Sequence, residues 1–183
     1  HMLQMLALIA MNEPKSLKAE DIRRERLAVL KSLVKISPRK IQDSVARGQY
    51  KGYLDEKGVS AHSTTETYFR IATVINQARW KGVPFYLENG KFLEESKTEI
   101  DIYFKNGKKK LIINKEEKKT PSPEDQNILT FRIQPDEGIK IKFFVKTPGY
   151  GFATEPKTLK FKYSDVSAFN SITRNDYERL IHD

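Results

Sequence analysis

Ile139-Lys140-Ile141-Lys142-Phe143-Phe144-Val145-Lys146 sets apolar side chains at positions 139, 141, 143 and 145 and lysines at 140, 142 and 146. The same parity runs through Leu129-Thr130-Phe131-Arg132-Ile133-Gln134 and through Leu159-Lys160-Phe161-Lys162-Tyr163. Period-two alternation predicts antiparallel strands with one apolar and one polar face, and the default reading of the lysines is a solvated face. Thr98 to Phe104 alternates likewise, with Ile100, Ile102 and Phe104 on one side and Glu99, Asp101 and Tyr103 on the other. Asn106-Gly107 then predicts a tight hairpin, because both positions tolerate positive φ. Residues 108–114 would return as its partner strand, and 115–126 would form a charged, Pro-containing surface loop. Thr64 to Trp80 is rich in Thr, Val, Ile, Tyr and Phe and predicts a strand running into a short turn, although Ile71, Val74, Ile75 and Ala78 also fit helical spacing.

Towards the N-terminus the period changes. Leu3 to Ala10 reads as an apolar helix that Asn12-Glu13-Pro14 ends, since Pro14 lacks an amide hydrogen and restricts its predecessor. Ser16 to Leu33 predicts an amphipathic helix with Ile22, Val29 and Leu33 near one face, Leu27 and Leu30 beside them, and Ser16 placed to cap it. From Ser37-Pro38 to about Ser63 the pattern dissolves among Gly48, Gly52 and Gly58, which predicts a long irregular connection. The fold class expected is therefore α+β: a mostly antiparallel sheet with helices packed on one face. A chain of 183 residues suits one well-filled core and is too short for two complete domains. It starts without a lead-in to its first helix and stops at Asp176-Tyr177-Glu178-Arg179-Leu180-Ile181-His182-Asp183, just after a further helix would begin, so one domain over 1–183, truncated at both ends, is expected.

Composition narrows the function. With 38% hydrophobic and 31% charged residues the chain reads as a folded soluble protein. No apolar run reaches the ~18 residues of a membrane span. The stretch Leu3 to Met11 contains Gln4 and lacks a secretory signal's charged start and cleavage site, which predicts a buried helix. Zero cysteines exclude disulfides, thiolate zinc sites and cysteine nucleophiles, and suit the cytoplasm. His1, His62 and His182 are too scattered to suggest a metal cluster, and no metal is expected. No Gly-rich strand-to-helix turn is present to cradle a pyrophosphate. A net charge of +9, from 33 Lys and Arg against 24 Asp and Glu, favours an anionic partner or reflects basic surface that absent parts would balance. Sugar phosphates, dinucleotides and nucleic acid all qualify. A polyanion- or nucleic-acid-binding module, whose affinity would fall steeply with salt, is the rival from another class.

Arg79-Trp80-Lys81-Gly82-Val83-Pro84-Phe85-Tyr86-Leu87-Glu88-Asn89-Gly90-Lys91 is the most distinctive run in the chain. It stands in order with Leu3-Gln4-Met5-Leu6-Ala7-Leu8-Ile9-Ala10-Met11, Arg47-Gly48-Gln49-Tyr50, Ser63-Thr64-Thr65-Glu66-Thr67-Tyr68, Thr98-Glu99-Ile100, Arg132-Ile133-Gln134-Pro135-Asp136-Glu137-Gly138, Lys146-Thr147-Pro148-Gly149 and Asp176-Tyr177-Glu178-Arg179-Leu180-Ile181. Together, over nearly the whole chain, these segments resemble the C-terminal domain of glucose-6-phosphate dehydrogenases.

The resemblance implies NADP-dependent oxidation of glucose 6-phosphate to its lactone in the pentose phosphate pathway, in the cytoplasm, by a homodimer paired through this sheet. It also implies that the coenzyme is held mainly by an N-terminal Rossmann-like domain lacking here, so that the fragment alone would be inactive. A stand-alone assembly domain is the further alternative. By resemblance His1 occupies the position of the general base, for which an imidazole of pKa ~6.5 is suited; His-Met is equally a common remnant of cloning vectors. Lys91 and Gln134 match substrate-binding positions. Ser96 stands where the family usually carries a second cation, with Lys97 adjacent. Lys97, Arg132 and Lys142 match positions that hold a structural NADP in some members, while Asp101 stands where a basic residue would help.

Overall fold

The computed structural model describes residues 1–105, 126–150 and 153–165. The expected Asn106-Gly107 hairpin, its return strand 108–114, nearly all of the loop 115–126, His182 and the closing segment 176–183 lie outside the described residues. The chain forms two compact units, His1–Glu94 and Glu95–Asp183. The α+β class holds, with the antiparallel strands shared between two sheets, one in each unit.

The first unit opens with α1 (Met2–Ala10) and α2 (Ala19–Lys31). A short α3 (Ile41–Ser44) then leads into β1 (Val45–Gly48), β2 (Tyr68–Val74) and β3 (Pro84–Gly90), arranged as an antiparallel sheet in the order β1-β2-β3. Leu6 and Ala10 of α1, Val29 of α2 and Ile75 after β2 form the buried core, with Ile9, Met11, Leu33, Trp80, Phe85 and Leu87 against it. The predicted α1 is present, and Leu6, Ala7 and Ala10 are its buried face. Beyond α2 the chain clips to the end of β2, where the Val34 amide donates to Val74 O at 3.1 Å and the Asn76 amide to Ser32 O at 2.8 Å.

Three expectations change here. Helix α2 begins at Ala19 with Lys18 in the capping position, three residues later than predicted. Ser16 bonds locally instead: its hydroxyl accepts from the Lys18 amide at 3.2 Å and donates to Asp21 Oδ2 at 2.5 Å. Such local bonds compete with helical backbone geometry. The expected irregular connection from 37 to 63 contains α3 and β1, and the Arg79–Lys91 run contains β3. Pro84 opens β3, which lies at the sheet edge, a position that tolerates a residue without an amide hydrogen.

The second unit is a four-stranded antiparallel sheet in the order β4-β5-β6-β7, formed by Thr98–Tyr103, Ile128–Gln134, Gly138–Lys146 and Thr154–Lys162. Its register explains the alternation. Ile102, Leu129, Ile141 and Leu159 lie in one cross-strand row, and Ile100, Phe131, Ile139 and Phe161 in another. Asp101, Thr130, Lys140 and Lys160 make a polar row between them, in which the buried Thr130 hydroxyl donates to Asp101 Oδ1 at 2.5 Å. Lys140 and Lys160 are opposite one another and exposed, so water screens their repulsion.

No helix among the described residues is long and apolar enough to cross a membrane. Nor does any group of three or more His, Asp or Glu among them stand where it could hold a metal.

Gly138 opens β6 opposite Lys162, and a Cβ there would collide with the carbonyl oxygen of Phe161. Because that obstacle is backbone, a side chain cannot be accommodated by a rotamer change. Gly138→Ala is expected to cost about 1–3 kcal/mol, read as a lower midpoint of urea unfolding.

Candidate functional site

In the first unit the residues around Lys91 are organised by one buried threonine. Thr67 is buried and uses three polar groups: its amide donates to Gly48 O at 2.9 Å, its hydroxyl accepts from the Tyr50 amide at 2.9 Å, and its carbonyl accepts from the Lys91 amide at 2.8 Å. The Arg47–Tyr50 and Ser63–Thr67 motifs are thereby stitched together. Gln49 Nε2 adds bonds to Ser63 O and Thr65 O at 2.8 and 2.9 Å, and Arg47 Nη1 pairs with Glu66 Oε1 at 2.5 Å. The Glu66 carboxyl is held below its ordinary value first by a backbone hydrogen bond and then by Arg47. On the far side of Lys91, the ring of Phe92 stacks on Tyr50 with centroids 5.1 Å apart, and Tyr53 meets Tyr50 edge-on at 5.5 Å. The backbone of Lys91 is thus fixed while its side chain is exposed.

His1 sits at the N-cap of α1, exposed, with its carbonyl accepting the Met5 amide at 3.0 Å and its side chain making no capping bond. The other end of that helix is tied down by the distinctive run: Trp80 Nε1 donates to Ala10 O at 2.8 Å and Arg79 Nη1 to Met11 O at 3.3 Å. The Trp80 ring packs edge-on against Phe85 at 5.2 Å. Arg79 and Trp80 therefore hold the far end of the helix at whose N-cap His1 sits.

In the second unit Gln134 ends β5 and lines a surface depression of about 330 Å³ together with Ser96, Lys97, Thr98 and Pro135. The β4–β5 register shifts between Thr98 and Glu99, so that Thr98 is opposite Gln134 while Glu99 is opposite Arg132. This bulge brings Gln134 Nε2 to 3.5 Å from Thr98 Oγ1; extra residues of this kind re-aim side chains beside sites. The chain then turns through a cis Gln134–Pro135 peptide and Asp136 at φ 61° into β6.

Beside the depression lies a closed set of ion pairs. Glu95 Oε1 is 2.5 Å from Arg132 Nη2 and Glu95 Oε2 is 3.3 Å from Lys97 Nζ. Glu99 Oε2 is 3.2 Å from Arg132 Nη1 and Glu99 Oε1 is 2.7 Å from Lys97 Nζ. The hydrogen bond to Glu99, with Glu95 behind it, holds Lys97 above its ordinary value. Arg132 and Lys97 pull the Glu95 carboxyl down, and Glu95 in turn raises Arg132. The residues lining the depression carry a side-chain amide in Gln134 and hydroxyls in Ser96 and Thr98, groups suited to hydroxyl and oxyanion ligands.

Of the residues singled out from sequence, Gln134, Ser96 and Lys97 come together at this depression, with Arg132 joined to Lys97 through the two carboxylates. Lys142 does not join them. It pairs with Ile128 at the opposite end of β5, four residues along β6 from Gly138, about 13 Å at strand rise, and its Nζ lies 5.5 Å from the Phe144 ring centroid. Asp101 is engaged by Thr130. His1 and Lys91 belong to the first unit. Sequence reasoning missed Glu95, although Glu95-Ser96-Lys97-Thr98-Glu99 shows a cation flanked at i±2 by carboxylates, the spacing that puts all three on one side of an extended segment.

The family model for the C-terminal domain of glucose-6-phosphate dehydrogenase matches residues 1–183. The glucose-6-phosphate 1-dehydrogenase of Borreliella burgdorferi is 41% identical over 193 residues, covering 100% of this chain and 39% of that protein. Its counterpart from Chlamydia pneumoniae is 39% identical over 193 residues, covering 100% of this chain and 36% of that protein. Among solved structures, the glucose-6-phosphate 1-dehydrogenase of Mycobacterium avium is similar with a TM-score of 0.73 and 30% identity, over 88% of this chain and 33% of that one. A glucose-6-phosphate dehydrogenase in complex with its substrate glucose 6-phosphate is similar with a TM-score of 0.79 and 34% identity, over 100% of this chain and 37% of that one. The chain therefore spans well under half the length of these relatives.

Thr67→Val preserves shape and both backbone bonds but removes the acceptor for the Tyr50 amide. It is expected to cost about 1–2 kcal/mol, measured as a lower thermal unfolding midpoint.

Proposed function

The chain belongs to the glucose-6-phosphate dehydrogenase C-terminal domain family, and from that premise we propose that it is the substrate-binding and subunit-pairing part of an NADP-dependent glucose-6-phosphate 1-dehydrogenase of the cytoplasm. The observation that carries this reading is the depression formed by Gln134, Thr98 and Ser96, in a chain whose whole length is similar to a relative solved with glucose 6-phosphate.

In this reading Gln134 hydrogen-bonds the sugar phosphate substrate, and Lys91 supplies a cation to it from a backbone that Thr67 holds in place. His1 is the proton acceptor for the C1 hydroxyl as the sugar is oxidised to the lactone, a task for which a neutral imidazole near its own pKa is suited. Helix α1, pinned at its far end by Trp80 and Arg79, carries that imidazole.

The described residues do not fit a dinucleotide. The chain carries no Gly-rich strand-to-helix turn, and Lys97 and Arg132 are each bonded to two carboxylates, which opposes binding of further phosphates. The coenzyme then belongs to a separate domain of the kind that accompanies this one in the family. Pairing of two copies through the four-stranded sheet is supported by its exposed apolar residues Ile141, Leu159 and Phe161.

NADP reduction by glucose 6-phosphate tests the reading. A polypeptide joining the coenzyme-binding domain to this chain is expected to be active, and the chain alone inactive; turnover by the chain alone would sink the division of labour. Lys91→Ala in the active polypeptide is expected to raise KM for glucose 6-phosphate about tenfold or more, since it removes a charge-assisted contact.

A further inference from the structure

Resting on the reading of the depression as a sugar-phosphate site, we propose that Glu95 and Glu99 form a carboxylate latch that withholds Lys97 and Arg132 from the substrate phosphate, so that Glu95 sets the preference for phosphorylated over unphosphorylated sugar. Lys97 is the one cation among the residues lining the depression. Both carboxylates bridge it to Arg132, so the four groups close into a ring with no net charge. The nearby Asp136 faces Lys162 at 3.6 Å and leaves that balance intact.

The two carboxylates are placed differently. Glu99 is on β4, with its side chain 17% exposed, opposite Arg132 in the sheet register. Glu95 precedes β4, is 52% exposed, and reaches both cations from outside the strand. It is the member whose loss disturbs the sheet least. The pairing also favours the charged forms of Glu95, Lys97 and Arg132, since Glu95 is pushed down while Lys97 and Arg132 are pushed up. What the depression offers a phosphate is then the hydroxyls of Ser96 and Thr98 and the amide of Gln134. Neutralising Glu95 leaves the ring with a net positive charge beside the dianion, and it leaves Lys97 with one carboxylate instead of two. Charge added within a few ångströms strengthens binding of a charged ligand and leaves a neutral one unaffected.

The test uses the active full-length polypeptide and compares KM for glucose 6-phosphate with KM for unphosphorylated glucose. Glu95→Gln is expected to lower KM for glucose 6-phosphate about threefold to tenfold, with KM for glucose and kcat within about twofold of the parent, and to steepen the salt dependence. Glu95→Asp, which keeps the charge, should stay near the parent, and E95Q combined with K97M should lose the gain. Glu99→Gln should shift KM in the same direction, which keeps the test decisive if one variant folds poorly. An unchanged or raised KM for glucose 6-phosphate in folded E95Q and E99Q overturns the latch, as does an equal change for both sugars, which would make the ring purely structural. Absence of glucose 6-phosphate oxidation by the parent polypeptide removes the underlying reading, and the latch with it.

Discussion

The last carbonyl oxygens of an α-helix have no partner inside the helix and need donors from elsewhere. In the first unit several of those donors come from neighbouring residues just past β2: Gln77 joins the Ser32 hydroxyl at Ala28 O in α2, Arg79 reaches Met11 O and Trp80 reaches Ala10 O at the end of α1. Satisfying the two helices therefore decides where β2 must stop and where the chain must turn. Trp80 does so while filling the core beside Phe85, so one side chain answers both a polar and an apolar demand. From that turn β3 runs back alongside β2 to Gly90, and Thr67 receives the next residue, Lys91. The position of the candidate lysine is in this sense downstream of the helix ends.

How much of this was legible depended on whether the information was local. Strands β4 to β6 and the end of β7 from Leu159 were readable because each alternates on its own, and the register then lines up rows such as Ile102, Leu129, Ile141 and Leu159. Which strands share a sheet was not readable, since period two says nothing about partners. Strand β3 carries a local signal too, with Phe85 and Leu87 half-buried between exposed Tyr86 and Glu88, inside a run whose motif character is the stronger signal. Strand β1 offered no such pattern: its four residues are mostly exposed, and they pair because β2 lies beside them. Ser16 misled in the other direction, its hydroxyl serving a turn before α2.

The candidate site was legible only through the resemblance. Nothing in the composition marks Gln134 or Lys91, and the bulge that sets Gln134 opposite Thr98 is a property of two strands meeting, invisible in either. Charge was the least transferable quantity. The chain carries +9 overall, yet the cations nearest the depression are cancelled by Glu95 and Glu99, while exposed Lys140 and Lys160 face each other across β6 and β7. A count of lysines gives the far field; the near field depends on which carboxylates stand between them and a ligand.

Thr67 holds residue 91 by its main chain and leaves the side chain exposed. A position anchored that way behaves as a socket. Its chemistry is interchangeable while its location is not, so a thiol, an isotope-labelled methyl or a photoreactive group installed there would report on the same point in space. The cysteine-free background makes a single thiol unambiguous. The same arrangement separates two histories: the scaffold around residue 91 could persist unchanged while the group it displays is exchanged for another, and the fold would record nothing of the substitution.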